Sequence, residues 1–326
     1  MSDATHHVLH RATLTLRTPL GTPLAGDTLF GQLCWTLRET AGDAELRRRL
    51  DGYTTGKPWL VVSDGFPSGY LPRPTLPRHL DDLAAGPDAC KASRKADRQK
   101  RWIACRHAGE TLLAMPRVAD DDTVAYGGQA PRHDIQAHNT LNRLSGTTGE
   151  GAFAPYTAPR IHHAVDQKID LYLLLDEQRV SAAETVALLA ALGDGGYGRD
   201  ASVGLGKFTV DSLQPAAFAS PAAASAYWTL APCAPQGQGF TAERSYWRVL
   251  TRFGRHGNIL ATTGKPFKTP ILLAATGAVF TPADGWRRRL FIGQGLGGDG
   301  RLSKAETATV HQGYSPVVPI ALEHTP

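Results

Sequence analysis

Apolar and polar positions alternate from Val8 to Arg17. Val8, Ala12, Leu14 and Leu16 share one face of an extended segment, and Arg11, Thr13, Thr15 and Arg17 share the other. That pattern predicts a half-buried strand. After the turn-rich Thr18–Pro23 the period lengthens, and Leu29, Phe30, Leu33, Cys34 and Leu37 form a helical stripe ending near Gly42. Asp27 is its expected N-cap. Trp59–Ser63 and Tyr70–Pro74 read as strand pieces broken by prolines, and Ile169–Leu175 as a continuous apolar strand. Ser181 and Glu184 form a capping box before a helix through Leu188, Leu189 and Leu192, and Lys207–Asp211 alternates as a strand again.

The stretch from about 77 to 160 fits none of these periods and is too long for a structureless loop inside a domain. It is expected to be an insertion projecting as a finger. Without it, the first two-thirds reads β-α-β-β-α-β, the ferredoxin-like split βαβ order. The open sheet face of that arrangement is also what RNA-recognition modules use to contact bases, although the aromatic pattern of those modules is absent. Residues 214–226 are rich in Ala, Pro and Ser and are expected to link a first domain, 1–213, to a β-rich second one, 227–326. In the second, Gly293–Gly298 reads as a turn between strands. The fold class is therefore α+β.

Composition narrows the function. The chain has 326 residues, 42% of them hydrophobic, a formal charge of +5 and a pI near 9.1, which fits a globular protein with a polyanionic partner. From Lys91 to Arg106 seven cations stand against the single acid Asp97, a surplus larger than that of the whole chain. Lys91, Arg94, Lys95, Arg98 and Arg101 on this weakly helical segment are candidates for polyanion contact. Cys34, Cys90, Cys105 and Cys233 show no C-x-x-C pairing, and Cys34 reads as core filling. The cysteine usage, the absence of a signal layout and the lack of a long apolar run point to a reduced, cytoplasmic chain with no membrane span. No metal or cofactor motif stands out, and none is expected.

Six glycines crowd the segment Gly193–Phe208. Backbone amides in such a loop can cradle an anion, and Arg199 and Lys207 add positive charge. Gly195, Gly196, Tyr197, Gly198, Arg199, Ser202, Gly204, Gly206 and Lys207 are the candidate phosphate-binding residues, with Tyr197 as a stacking surface. Gly196–Ala201 fits G-x-G-x-x-A, but it follows a helix and precedes a strand, the reverse of a dinucleotide site. A second polar run brings His138, Asn139, Asn142 and Arg143 together, groups that donate to phosphates, 2′-hydroxyls and base edges.

Taken in order, Asp27–Cys34, Tyr70–Pro74, His138–Arg143, the glycine loop and the tail Thr309–Ile320 resemble the RAMP superfamily. Within it, they are most similar to the subunit of type III-A CRISPR–Cas (Csm) effector complexes that caps the 5′ end of the guide RNA. The resemblance implies a ferredoxin-like, RRM-like RAMP domain with an inserted thumb, and a second, degenerate β-rich RAMP-like domain. It implies a non-catalytic protein that binds the 5′ handle of the crRNA. Its implied neighbours are the large polymerase-cyclase subunit, an adjacent RAMP backbone subunit and target RNA near the handle. Two enzymatic readings stay open on the same fold: a metal-independent endoribonuclease that processes repeat RNA, and a metal-dependent subunit that cleaves target RNA through an acid such as Asp27 or Asp200.

Overall fold

The computed structural model describes residues 6–85, 96, 97, 99–257 and 266–323. Its largest sheet is built on β1 (His7–Leu16), flanked by β10 (Phe208–Pro215) and β9 (Lys168–Asp176), with β2 (Leu60–Val62) beyond β9. Counting only these four strands in chain order, they stand 4-1-3-2 in the sheet, each antiparallel to its neighbour. The two-residue β3 (Phe66–Pro67) also pairs with β9. Helices α1 (Gly26–Ala41) and α4 (Ala182–Gly195) pack together on one face, closing a core around Leu14, Leu29, Leu33, Leu173 and Leu189. Among the described residues, two eight-residue helices escape the sequence pattern: α2 (Asp43–Leu50) and α3 (Arg78–Ala85).

One half of the expected capping box forms, while the Glu184 side chain turns to Arg49 at 2.6 Å. Ser181 Oγ accepts from the Glu184 amide at 3.1 Å. The helix runs past Gly193 to Gly195, because Gly193 is a packing position. A Cβ there would stand 2.3 Å from the Phe208 carbonyl oxygen, so only glycine lets α4 lie this close to β10.

The other face of the sheet is not open. Tyr172 is buried on it beneath Phe66 and Phe218, with the small sheet β4 (Tyr70–Pro72), β5 (Trp102–Ala104) and β6 (Ala119–Asp120) nearby. Trp102 packs edge-on against Phe66. The helical character expected through Trp102 and Ile103 gives way to strand, since Ile103 needs burial opposite Leu71. Of the expected finger, 77–160, β7 (Arg132–His138) and β8 (Tyr156–His162) form a separate two-stranded ribbon, whereas Ile103, Leu112 and Met115 lie buried in the main core.

A second sheet runs β14 (Val279–Phe280), β11 (Ala226–Thr229), β16 (Val310–Ile320), β15 (Phe291–Gly297). Beside it stands the hairpin of β12 (Val249–Arg252) and β13 (Ile271–Ala274). The glycines expected to turn at 293–298 lie mostly inside β15. Glycine is required there because a Cβ on Gly293 or Gly295 would strike the carbonyl oxygen of Gly313 or Tyr53. Gln312 on β16 joins the halves: its amide accepts from the Val62 N–H at 2.8 Å and donates to the Val62 carbonyl at 2.7 Å. One apolar core runs through both halves, from Leu14 and Leu175 to Trp228, Val318 and Ile320. Residues 214–226 are docked rather than loose. The Ala216 amide donates to Leu9, the Ser225 amide to Ile320, and Phe218 packs on Tyr172.

Candidate nucleic-acid interface

Three segments meet at one edge of the large sheet: the glycine loop between α4 and β10, the β1–α1 connection, and the base of the β7–β8 ribbon. Leu20 and Ile161 exchange backbone hydrogen bonds of 3.0 and 2.9 Å, which fixes the ribbon to the connection. Arg199 in turn donates from its guanidinium to the Pro159 carbonyl, fixing the ribbon to the glycine loop.

The loop's backbone amides are largely spent on the protein itself. The Tyr197 amide donates to Gly206, the Gly206 amide to Pro19, and the Gly198 amide to the Gln32 side chain. The Arg199 and Lys207 amides donate to the hydroxyls of Thr22 and Thr18. Gly196 and Gly206 have φ of +90° and +73° and lie against the Leu205 and Tyr197 carbonyls, where a Cβ would come within 2.5 and 2.0 Å. These glycines serve a tight internal crossing, and the expected open cradle of amides is corrected on that ground. Tyr197 is corrected with it. The ring is fully buried, and its hydroxyl donates to the Pro23 carbonyl at 2.8 Å while accepting from the Ala25 amide at 3.1 Å. No face of it is presented to a base. What the loop does offer outward is side chains: Arg199, Ser202 and Lys207 are exposed. Arg17 is exposed beside them, its amide donating to the Lys207 carbonyl and its guanidinium paired with Asp166 at 2.7 Å. Its place on the polar face of β1 was the available signal for this missed cation.

The ribbon is the opposite case. All of β7 except His138 is exposed. At its far end His138 stacks on Tyr156, rings 5.1 Å apart and within 9° of parallel. Asn139 and Arg143 lie exposed in the connecting loop. Asn142 shapes that loop, its side-chain oxygen accepting from the Leu144 amide at 2.9 Å. Arg132, Arg160 and Tyr156 are further candidates on the strands that residue-type clustering alone did not pick out. Arg101 stands apart from the ribbon loop, on the lead-in to β5, and its guanidinium is paired with Asp122. Lys100 is likewise paired with Asp97 at 2.8 Å. Lys91, Arg94, Lys95 and Arg98 lie outside the described residues.

Between the ribbon base, β5 and the ends of the β12–β13 hairpin lies a cleft of about 620 Å³, bordered by Trp102, Tyr126, His133, His163, Arg73 and Arg248. Asp64 opens onto it and caps α1 in place of the expected Asp27, accepting from the Gly26 amide at 2.7 Å and from Thr276. Burial pushes its carboxyl up to about 7 despite those hydrogen bonds. His163 is driven the other way, to about 4, first by burial and then by the charges of His133 and His162. Asp27 sits within the first turn of α1 with no exposed side-chain surface. Arg252 clamps it with two hydrogen bonds of 2.6 and 3.0 Å, and His311 Nε2 lies 3.3 Å away, in ion-pair range. Burial alone would raise Asp27, but His311 and Arg252 outweigh it and hold the carboxyl below the usual range. Cys34 is buried in the core, its thiol pushed up to about 12 by that burial.

No protein-family profile and no curated protein matches this chain. The fold is similar to that of chains in solved structures of type III-A CRISPR effector components. In a crystal structure of a Csm1–Csm4 cassette in complex with cA4, the matching chain gives a TM-score of 0.61 at 14% identity, over 97% of this chain and 99% of that one. A Csm1–Csm4 cassette in complex with AMPPNP gives 0.57 at 15% identity over 98% and 99%. The Csm3–Csm4 subcomplex of a type III-A CRISPR–Cas interference complex gives 0.51 at 12% identity over 95% and 99%. The matching chains are Csm4, the component common to these assemblies. At these identities the likeness is one of fold.

Proposed function

We propose that this chain is a non-catalytic, crRNA-binding subunit of a type III-A CRISPR effector complex in antiviral defence. It holds the repeat-derived 5′ handle, docks the large polymerase-cyclase subunit and a neighbouring RAMP backbone subunit, and directs its ribbon toward target RNA near the handle. The observation that carries this reading is the likeness in fold to Csm4 over nearly the whole of both chains. The strand order 4-1-3-2 supports the ferredoxin-like reading of the first domain. The second, β-rich half is then its degenerate partner.

The division of labour follows from the chemistry on the surface. Arg17, Arg199 and Lys207 supply charge to RNA phosphates at the rigid edge, which positions the RNA without specifying it. The His138–Tyr156 stack offers a flat surface to an unstacked base, and Asn139 and Arg143 supply donors for base edges and phosphates. The non-catalytic reading is supported by the state of Asp27. It is shut in and neutralised by Arg252, the reverse of the open carboxylate that a metal-assisted cleavage requires.

Purification of the chain from cells expressing its neighbours is expected to recover small RNAs with one shared 5′ sequence, together with sibling subunits. A free, RNA-less monomer overturns the reading. Incubation of the purified protein with repeat RNA in EDTA is expected to give no cleavage product, and a defined product would establish the processing nuclease instead.

A further inference from the structure

The cleft at the ribbon base, about 620 Å³, lies within the ~300–1,000 Å³ range of small-molecule sites. Three rings line it. Trp102 and Tyr126 meet at 85° with centroids 6.0 Å apart, and His163 stands 5.9 Å from Tyr126. Most of the polar lining is already spent. Arg73 is paired with Asp81, Arg101 with Asp122 and Lys100 with Asp97, and the Trp102 indole N–H donates to Asp122 at 2.7 Å. Asp64 accepts from Gly26 and Thr276, and burial, by raising its carboxyl to about 7, removes part of its charge. Two groups stand apart. The His163 Nδ1 is buried with no hydrogen-bond partner among the described residues, on an imidazole that burial keeps neutral. Arg248 is exposed, and among the described residues its side chain alone of the lining arginines and lysines has no partner. Its carbonyl accepts from the Ala275 amide at 2.9 Å, which fixes its place beside the hairpin.

We propose that this cleft is a pocket for a single nucleotide, its base against Trp102, Tyr126 and His163 and its phosphate on Arg248. The paired charges leave an interior that disfavours a buried ion, so the enclosed part of the occupant is uncharged. The corner of aromatic rings suits a flat group, and the unpartnered His163 nitrogen calls for one with hydrogen-bonding edges. The unpaired guanidinium calls for an anion attached to it. A nucleotide carries all three features. An aromatic side chain of a partner protein would fill the corner and leave the imidazole and Arg248 unmatched, and inorganic phosphate would meet Arg248 alone. The same chemistry belongs to an unstacked nucleotide of a bound RNA and to a free nucleotide. In the first case the inference rests on the RNA-binding reading above; in the second it is independent of it.

Two arms separate these sources. In the first, the full chain freed of RNA is titrated with adenosine 5′-monophosphate by calorimetry. Binding is expected to saturate, and to weaken about tenfold or more with Arg248→Ala through loss of a charge-assisted contact. His163→Phe keeps a buried ring, removes the nitrogens and is expected to weaken binding about threefold or more. Adenosine, which has no phosphate, is expected to be indifferent to Arg248→Ala, and Arg287→Ala, at an exposed arginine outside the cleft, is expected to alter neither ligand. In the second arm, His133→benzoylphenylalanine is irradiated in the assembled complex, with Val165→benzoylphenylalanine, at an exposed valine outside the cleft, as control. A crosslink from position 133 to one position of the bound RNA, lost when Arg248→Ala and His163→Phe are combined, identifies an RNA nucleotide as the occupant. Saturable binding in the first arm without that crosslink identifies a free nucleotide. Neither signal, a crosslink from 133 to protein, or signals indifferent to both substitutions overturn the proposal. A complex that holds RNA and gives neither signal removes the pocket and leaves the subunit reading standing. A complex without RNA removes the subunit reading, and the first arm then decides the pocket alone.

Discussion

The glycine loop and the β7–β8 ribbon sit side by side and treat their polar groups in opposite ways. In the loop, the amides of Tyr197, Gly198, Arg199, Gly206 and Lys207 all find partners within the protein, and the one aromatic ring is buried. In the ribbon, one strand is exposed nearly throughout and a stacked His138–Tyr156 pair stands at the far end. Both segments read as binding chemistry from residue type. The difference is that donors already satisfied internally are unavailable to a ligand, whereas those facing water exchange one partner for another at small net cost. The loop is therefore an anchor, and under the proposed function the ribbon with the outward cations is the part that meets RNA.

Substitution at the loop's crossing point gives the strongest test of this contrast. Gly206→Ala brings a Cβ to 2.0 Å from the Tyr197 carbonyl at a φ of +73°. Both clash and strain apply, and a loss of about 4 kcal/mol or more in unfolding free energy is expected. Gly204→Ala, at φ +93° with open space around it, carries the strain alone and is expected to cost about 1–2 kcal/mol. Equal losses in thermal or denaturant unfolding would mean that the crossing is not tightly packed.

The anchor also has a pH signature, through the Asp64 carboxylate that caps α1. Its folded pKa, pushed by burial to about 7, lies above the 3.8 of an ordinary aspartate, so the folded state holds a proton that the unfolded chain releases. Stability contributed this way is complete below about pH 4 and is lost as pH rises through 7, with a total on the order of 2–4 kcal/mol. Asp64→Asn is expected to flatten the unfolding free energy between pH 5 and 8. Asp27 acts with the opposite sign. Its carboxyl is held down, so its contribution is present above the ordinary aspartate range and is lost as pH falls through the folded value. A single monotonic pH profile unaltered by Asp64→Asn would remove Asp64 from this role. A smaller effect belongs to Tyr197→Phe. It strands the Pro23 carbonyl and the Ala25 amide, and a loss of about 1–3 kcal/mol is expected, against no measurable loss for Tyr156→Phe on the ribbon.

These features were unequally legible in the sequence. β1, α1 and α4 were readable because burial on one side imposes a local period, β9 because burial on both sides makes one apolar run, and the Ser181 cap because its partners are three residues apart. The α1 cap was misassigned because Asp64 stands 38 positions from the Gly26 amide it caps, while the nearby Asp27 is turned toward Arg252, 225 positions downstream. No local pattern encodes such pairs. The ribbon strands were invisible for a different reason: exposed on both sides, β7 has no apolar face to alternate. In the glycine loop and β15 the glycines were visible but their purpose was not, since close approach of a backbone and openness to a ligand demand the same residue.

The ribbon gives the smallest effect on stability and the cleanest reading of function. Arg143→Ala removes an exposed guanidinium from the connecting loop, so unfolding free energy is expected to change by less than about 0.5 kcal/mol. If Arg143 contacts a phosphate of single-stranded RNA, the slope of log affinity against log salt falls by about 0.7 with that one substitution. Arg199→Ala provides the internal comparison, because its guanidinium also holds the ribbon base through the Pro159 carbonyl. It is expected to lower the salt slope by a similar amount and to cost measurable stability, so the two variants separate contact from anchorage. A full loss of RNA affinity from Arg199→Ala with no change from Arg143→Ala would move the RNA contact back to the glycine loop and reverse the assignment.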